Sequence, residues 1–351
     1  MKFDIVIVGA GIVGLSTAWQ LQQRWPEKTM LVLEKESDMG YHQTGHNSGV
    51  IHAGVYYAPG SLKADFCRQG LAATIAFCSN HHIRYLQCGK LLVATDEREY
   101  ARMLVLYQRC QQNHIECDLL DKLQLQQCEP HISGVGAIRV PATGIVNYRD
   151  LTRQLAVLFQ QLGGSVELNR AVLSIRENDS GVTLGTQQGD VHTQFLVCCG
   201  GLQADRLSHM QGLPTNFQII PFRGEYYRLP DHLSGVVNHL IYPIPDPDLP
   251  FLGIHLTRMI DGSVTVGPNA VAGFKREGYD QINFSLRDTA MMLAYKGFWK
   301  LLFSNSRSAA AEFRNSILKK AYLRQVQKYC PGITMDDLLP YPAGIRAQAI
   351  S

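Results

Sequence analysis

Apolar positions change period several times along this chain, and each change marks an element. Residues 3–8, FDIVIV, form a β-branched run suited to a buried parallel strand. After three glycines the apolar positions recur with helical spacing to about residue 24, and residues 29–33 return to a strand pattern that ends on Glu34. Between residues 40 and 54 the pattern dissolves into a polar, glycine-rich, irregular stretch. LLVATD reads as a strand, residues 97–113 as a long helix and the stretch near Leu123 as a short one. Residues 151–162 are helical in period, Gly163 and Gly164 stop them, and SVELNRAVLSIREND reads as strand, loop and strand. GIHLTR alternates as a strand, which aims His255 at one sheet face and Arg258, three along, at the other. Residues 289–311, TAMMLAYKGFWKLLFSNSRSAAA, combine large apolar residues with Lys296, Lys300 and Arg307 and hold no acid. That stretch is either a helix packed on its neighbours or an amphipathic helix lying on an anionic membrane surface.

The first two strands carry chemistry at their junction. Gly9, Gly11 and Gly14 spell G-x-G-x-x-G between strand and helix. The first glycine makes the tight turn, the second lets the backbone approach a pyrophosphate, and the third lets helix and sheet pack closely, with the helix amino terminus facing the phosphates. Glu34, twenty residues past Gly14, is placed to accept hydrogen bonds from an adenosine ribose, and its charge disfavours a 2'-phosphate, which argues against NADP. The fingerprint alone does not choose between NAD and FAD. The irregular segment of residues 40–54 favours FAD, because it can wrap an extended cofactor where an NAD enzyme runs on into further βα units.

Composition narrows the classes. With 351 residues, 46% of them hydrophobic, the chain can bury one large core or two ordinary ones without disulfides or metal. A net charge of +3, with no block of like charges, excludes the dense basic stripe of a nucleic-acid binder. Nine cysteines show neither CxxC pairs nor zinc spacing, and no metal site is expected; they read as reduced thiols of a cytoplasmic protein. No run of apolar residues is long enough to span a membrane, so any membrane contact is expected to be peripheral.

The segment of residues 46–64, HNSGVIHAGVYYAPGSLKA, resembles the L-2-hydroxyglutarate dehydrogenase/oxidase family, within the two-domain flavoproteins that include D-amino-acid oxidase, glycine oxidase and glycerol-3-phosphate dehydrogenase. Similar stretches run along most of the chain. FLVCCGGLQADRLS looks like the strand and turn returning to the flavin domain, IIPFRGEYYRL like the strand entering the substrate domain, PDPDLPFLGIHLTR like a diagnostic substrate-domain segment, and PAGIRAQ like the last return. The resemblance implies an α/β fold: a Rossmann-like FAD-binding domain of the glutathione-reductase type beside an α+β substrate domain on a mixed antiparallel sheet. The flavin domain is expected in residues 1–85, 145–215 and 335–351, and the substrate domain in 86–144 and 216–334. In this family GIRAQ is followed by several tens of residues that close over the flavin. The sequence given stops five residues past Arg346, so the resemblance implies weak FAD binding and little activity for a chain ending there.

Candidate site residues follow. Thr44, His46, Asn47 and Ser48 are expected to contact the cofactor, Val172 to mark the grip on adenine, and Gly200 and Gly201 to form the turn beside it. His52 can take the hydroxyl proton of a 2-hydroxy acid or only pin its own loop, and His255 is the second choice. Arg346 falls where related oxidases bind a carboxylate, and its guanidinium can do so through two parallel hydrogen bonds; the alternative is a structural salt bridge. Arg223 and the tyrosines at 56, 57, 226 and 227 carry less weight, since tyrosine in strands is most often packing. The function implied is FAD-dependent oxidation of L-2-hydroxyglutarate to 2-oxoglutarate, with electrons passing to a membrane quinone or to oxygen. The alternatives are an oxidase of amino acids or other 2-hydroxy acids, and a remnant that keeps the fold without catalysis. The protein is expected in the cytoplasm, with peripheral contact at the cytoplasmic face of the inner membrane left open.

Overall fold

Alternate residues of the first strand, Lys2–Val8, point to opposite faces, and both faces are buried. Ile5 and Ile7, with Met30 and Val32 of the neighbouring strand Met30–Leu33, meet Leu15 and Ala18 of helix Ile12–Arg24 and Leu151, Leu155 and Phe159 of helix Tyr148–Gln161. Val6, Val8, Leu31 and Leu33 face the other way, onto Ile175, Leu184, Val191 and Leu207. A sheet covered on both faces explains why its strands read as continuous apolar runs instead of alternating ones.

This computed structural model describes residues 1–246, 253–280, 283–304 and 319–351. The first sheet has six strands, in the order Val172–Asn178, Gly181–Thr186, Val191–Cys198, Lys2–Val8, Met30–Leu33 and Ser165–Glu167. The last four run parallel, and the first two add an antiparallel meander. A small three-stranded sheet, in which Val50–Ile51 and Tyr85–Leu86 both flank Gly144–Val146, lies between this sheet and the next in sequence.

The second sheet has nine strands and is mixed. Lys90–Ala94 pairs parallel with Leu240–Pro243 and antiparallel with Gly136–Val140, while Gln218–Arg228 pairs antiparallel with its neighbours. Its strand Lys90–Ala94 too is covered on both faces: Leu91 and Val93 join one core cluster, Leu92 and Ala94 another. Residues 86–144 supply three strands to this sheet: Lys90–Ala94, Asp118–Asp121 and Gly136–Val140.

The placement of the chain end differs from expectation. Residues 335–351 were expected with the cofactor part, yet Leu339–Ile350 pairs antiparallel along the length of Gln218–Arg228, Gln218 opposite Ile350 and Arg228 opposite Leu339. Ten register pairs hold this strand in the second sheet, and family-like spacing in sequence carries no information about which sheet will offer that edge. The apolar-basic segment also differs. It forms two short helices, Leu286–Ala294 and Lys296–Ser304, broken at Tyr295, whose hydroxyl donates to Ile350 O at 2.8 Å. Met292 and Phe298 are buried against Ile220, Phe222 and Ile350. Its remainder, and residues 247–252 of PDPDLPFLGIHLTR, lie outside the described residues.

Candidate active site

One end of the site is built from backbone. At the carboxyl end of Lys2–Val8 the chain turns through Gly9, at φ +110, and an added Cβ there would lie 2.5 Å from Cys199 O. A Cβ on Gly14 would lie 1.9 Å from Gly9 O, so only glycine lets the helix start this close to the strand. Gly11 caps the helix without a side-chain hydrogen bond. Thr44 reaches it instead, accepting from Ile12 N at 3.0 Å, which leaves its hydroxyl proton for another acceptor. Glu34, almost fully buried, accepts from Ala10 N at 2.8 Å and Glu36 N at 3.0 Å. Arg170 N donates to Glu34 O at 2.8 Å, which brings the start of the Val172 strand to the same corner. Gly200 and Gly201 close the corner: a Cβ on Gly201, at φ +49, would stand 3.0 Å from the Gln43 side chain. The residues present therefore fit a dinucleotide: a glycine cradle that any side chain would fill, a helix amino terminus open to anions, and a carboxylate beside it.

The loop that follows is held by its own side chains. Asn47 spends its amide on Gln43 O at 2.9 Å and Thr44 O at 2.6 Å and accepts from Gly49 N at 2.8 Å, so it pins the loop. His46 stacks on Tyr279 at 3.8 Å between centroids, with Nδ1 3.0 Å from His42 O. Burial pushes its pKa down. Ser48 hydrogen-bonds Tyr226, whose hydroxyl burial carries up to about 12. Thr44, His46, Asn47 and Ser48 line a cleft of about 390 Å³ together with Arg149, Tyr226 and residues 259–261. His52, His255 and Arg346 do not line it and form a group of their own.

That group comes from three distant parts of the chain. His52 follows the strand Val50–Ile51. It is exposed by surface area, yet the protein packed around its ring desolvates it, and that packing sets the direction of the shift. Desolvation first, then the charges of Lys90, His255 and Arg346, bring the imidazole down to about 3. His255 was expected within a strand but stands one residue before Leu256–Arg258, 4% exposed. Its Nδ1 lies 3.0 Å from Gly253 O and its ring stacks on Tyr242 at 4.0 Å and 12°. Desolvation carries this histidine also to about 3. Arg346, on the exposed side of Leu339–Ile350, pairs in register with Phe222 and contributes positive potential at both histidines. Both rings are therefore neutral near pH 7 and able to accept a proton.

Sequence reasoning missed Lys90 and Tyr242. Lys90 is 1% exposed although it heads the strand Lys90–Ala94, a place where a lysine is ordinarily a solvated end, so no local signal marked it. Of Arg223 and the four tyrosines, Tyr226 meets the cleft. Among the described residues one cluster has the reach of a metal site, Glu36, His42 and Glu277. Its centre holds the Lys35 ammonium, which bonds Glu36 and lies 2.9 Å from both His42 Nε2 and Glu277 Oε2, so the cluster is an ion-pair network.

Comparison with known proteins bears on this geometry. L-2-hydroxyglutarate dehydrogenase of Escherichia coli K12 is 54% identical over 350 residues, 99% of this chain and 83% of its own. The human mitochondrial L-2-hydroxyglutarate dehydrogenase is 42% identical over 362 residues, covering 99% and 78%. Among solved structures, the FAD-bound L-α-glycerophosphate oxidase of Mycoplasma pneumoniae superposes with a TM-score of 0.81 at 21% identity, over 99% of this chain and 84% of that one. Glycine oxidase of Geobacillus kaustophilus gives 0.75 at 19%, over 99% and 83%. These likenesses show the fold, and residues 4–350 match the FAD dependent oxidoreductase (DAO) family. With its glycine cradle, buried Glu34 and mixed second sheet, the chain belongs to that family of FAD dependent oxidoreductases.

Proposed function

We propose that this chain oxidises L-2-hydroxyglutarate to 2-oxoglutarate. The observation that carries the reading is a neutral, accessible His52 that lies within the field of the Arg346 guanidinium, in a chain 54% identical to an L-2-hydroxyglutarate dehydrogenase. In this reading the six-stranded sheet serves the cofactor and the nine-stranded sheet the substrate. Gly9, Gly11 and Gly14 with the helix amino terminus hold the pyrophosphate, Glu34 the ribose, Val172 the adenine edge, and Thr44, His46, Ser48, Gly200 and Gly201 the remainder. Asn47 acts through the loop it pins. When bound, FAD supplies the acceptor for the Cα hydride.

The chain's own residues position and deprotonate. Arg346 holds the C1 carboxylate by paired hydrogen bonds and fixes the carbinol carbon. His52 receives the hydroxyl proton as the C–O bond gains its second component. His255, buried and with Nδ1 at Gly253 O, is the second choice for this role. Electrons then leave to a quinone or to oxygen. Peripheral membrane contact, at the cytoplasmic face, falls to the two short helices: Leu293, Trp299 and Phe303 are exposed beside Lys296 and Lys300. Among the described residues no helix is long and apolar enough to cross a membrane.

Purified protein assayed with L-2-hydroxyglutarate, its D enantiomer and a set of amino acids, using a dye or oxygen as acceptor, tests the reading. Turnover confined to L-2-hydroxyglutarate supports it, and turnover of amino acids in its place contradicts it.

A further inference from the structure

Residues 274–280 leave the second sheet, yet their side chains reach the corner that holds Glu34, Gly200 and Gly201. Val271–Ala272, just before them, pairs with Gln218–Arg228, and Gly273 N donates to Pro221 O at 2.8 Å. Arg276, 2% exposed, then donates to Leu202 O at 2.9 Å and grips the fully buried Asp205 carboxylate with both terminal nitrogens. Asp205 also accepts from Ile219 N at 3.0 Å, so both partners of this buried pair are further hydrogen-bonded and the pair is a fixed anchor.

Glu277 comes next. Its carboxylate accepts from Lys35 Nζ at 2.9 Å through one oxygen and from Gln203 Nε2 at 2.8 Å through the other. Lys35 is the residue after Glu34, and Gln203 stands two residues past Gly201, so one carboxylate ties together two stretches of chain that flank the glycine cradle. Two residues on, the Tyr279 ring stacks on His46 at 3.8 Å and 20°. Its hydroxyl is buried and has no hydrogen-bond partner among the described residues, so the ring makes this contact without help from the oxygen. Each contact lands on or beside a residue read above as touching FAD.

We propose that residues 274–280 are a strap that fixes the cofactor corner in its binding shape, with Glu277 and Tyr279 as positioning residues: Arg276 anchors the strap, Glu277 holds Lys35 and Gln203 together, and Tyr279 holds His46. The proposal rests on the reading of that corner as the FAD site. It makes retention of FAD depend on a part of the chain 242 residues from Lys35. A wall already in place lowers the ordering cost of binding and acts chiefly on how long the ligand stays.

Release of FAD after dilution, followed by flavin fluorescence, reads the strap without turnover. Glu277→Ala should release FAD about fivefold faster, the upper range for losing a partly exposed charge pair, and Glu277→Gln, which keeps an acceptor for both partners, should restore most of the parent rate. Salt should speed release from the parent more than from Glu277→Ala, because the pair it screens is gone in the variant. Tyr279→Ala should also release FAD faster, and Tyr279→Phe, which keeps the ring, should match the parent. Parent rates in both alanine variants overturn the proposal. So does faster release that comes only with a lower melting temperature of the apoprotein and that neither Glu277→Gln nor Tyr279→Phe reverses, because it assigns the strap to folding. Should Glu277→Ala not fold, Gln203→Ala cuts the same bridge and is read in the same way. If Glu34→Ala binds FAD as tightly as the parent, the reading of the corner fails while the release rates still judge the strap.

Discussion

The two ends of this site are built by different means. At the end read here as the cofactor's, Gly9 and Gly14 place backbone against backbone, Gly201 comes close to the Gln43 side chain, and Glu34 and Thr44 meet the amides of Ala10 and Ile12. The residues that matter lie mostly within 35 positions of one another, and their job is to leave space. At the end read here as the substrate's, His52, Lys90, Tyr242, His255 and Arg346 come from strands and loops far apart, and they fill space with neutral rings beside the charges of Lys90 and Arg346. A chain can announce the first kind of site in a local motif. The second exists only once nine strands have found their register.

Breaking the cofactor end should therefore break folding and flavin binding together. Gly14→Val has the largest expected effect, because even its Cβ would stand 1.9 Å from Gly9 O. The variant should lose flavin from the purified protein and unfold several degrees lower, as absorption and a thermal melt would report. A flavin-replete variant with the parent's melting temperature would contradict the cradle.

Breaking the substrate end should leave flavin in place. His52→Ala should lower kcat about 10²- to 10⁴-fold, the usual range for a lost general base. Arg346→Ala should cost about 2–5 kcal/mol in kcat/KM, as for the loss of one partner of a desolvated charge pair. Flavin content should stay at the parent level in both, and a loss of flavin would merge the two ends into one. Glu34→Ala should act oppositely, weakening FAD by about 1.5–3 kcal/mol, the worth of a hydrogen bond to a charged group, without altering KM in the fraction that retains flavin; flavin titration of the apoprotein measures it.

Acid should distinguish the ends as well. His255 is neutral when folded, with a pKa of about 3 against 6.5 for an ordinary histidine. The unfolded chain binds the extra proton between those values, so the contribution of this group is complete above pH 6.5 and is lost as pH falls toward 3. Melts across that window should decline less steeply in His255→Phe, and parallel curves would assign the acid loss elsewhere. The smallest effect expected is on vesicle binding: Lys296→Glu with Lys300→Glu should weaken sedimentation with anionic vesicles by about 1 kcal/mol per lysine removed near the surface, and unchanged recovery would detach the two helices from any membrane role.

Much of the first sheet was legible before any coordinates, because its two faces are both buried and apolar runs of that kind have few other uses. Glu97–Gln112 and Lys122–Cys128 also fell where the apolar period put them, each with an aspartate cap, Asp96 and Asp121. What sequence could not supply was pairing at a distance. Nothing in PAGIRAQ states that it will lie along Gln218–Arg228, and nothing local breaks the apolar-basic segment at Tyr295, whose partner is Ile350. Lys90 was overlooked for a related reason: a lysine at the head of a strand is ordinarily a solvated end, and only the register with Tyr242 reveals it as enclosed.

Anaerobic mixing of the FAD-bound protein with L-2-hydroxyglutarate, followed by flavin absorbance, tests the central claim most directly. The account predicts bleaching by the L enantiomer and not the D, and a severe slowing in Arg346→Ala while its flavin remains bound. Full flavin with no bleaching by L-2-hydroxyglutarate, or bleaching as fast in Arg346→Ala as in the parent, would contradict it.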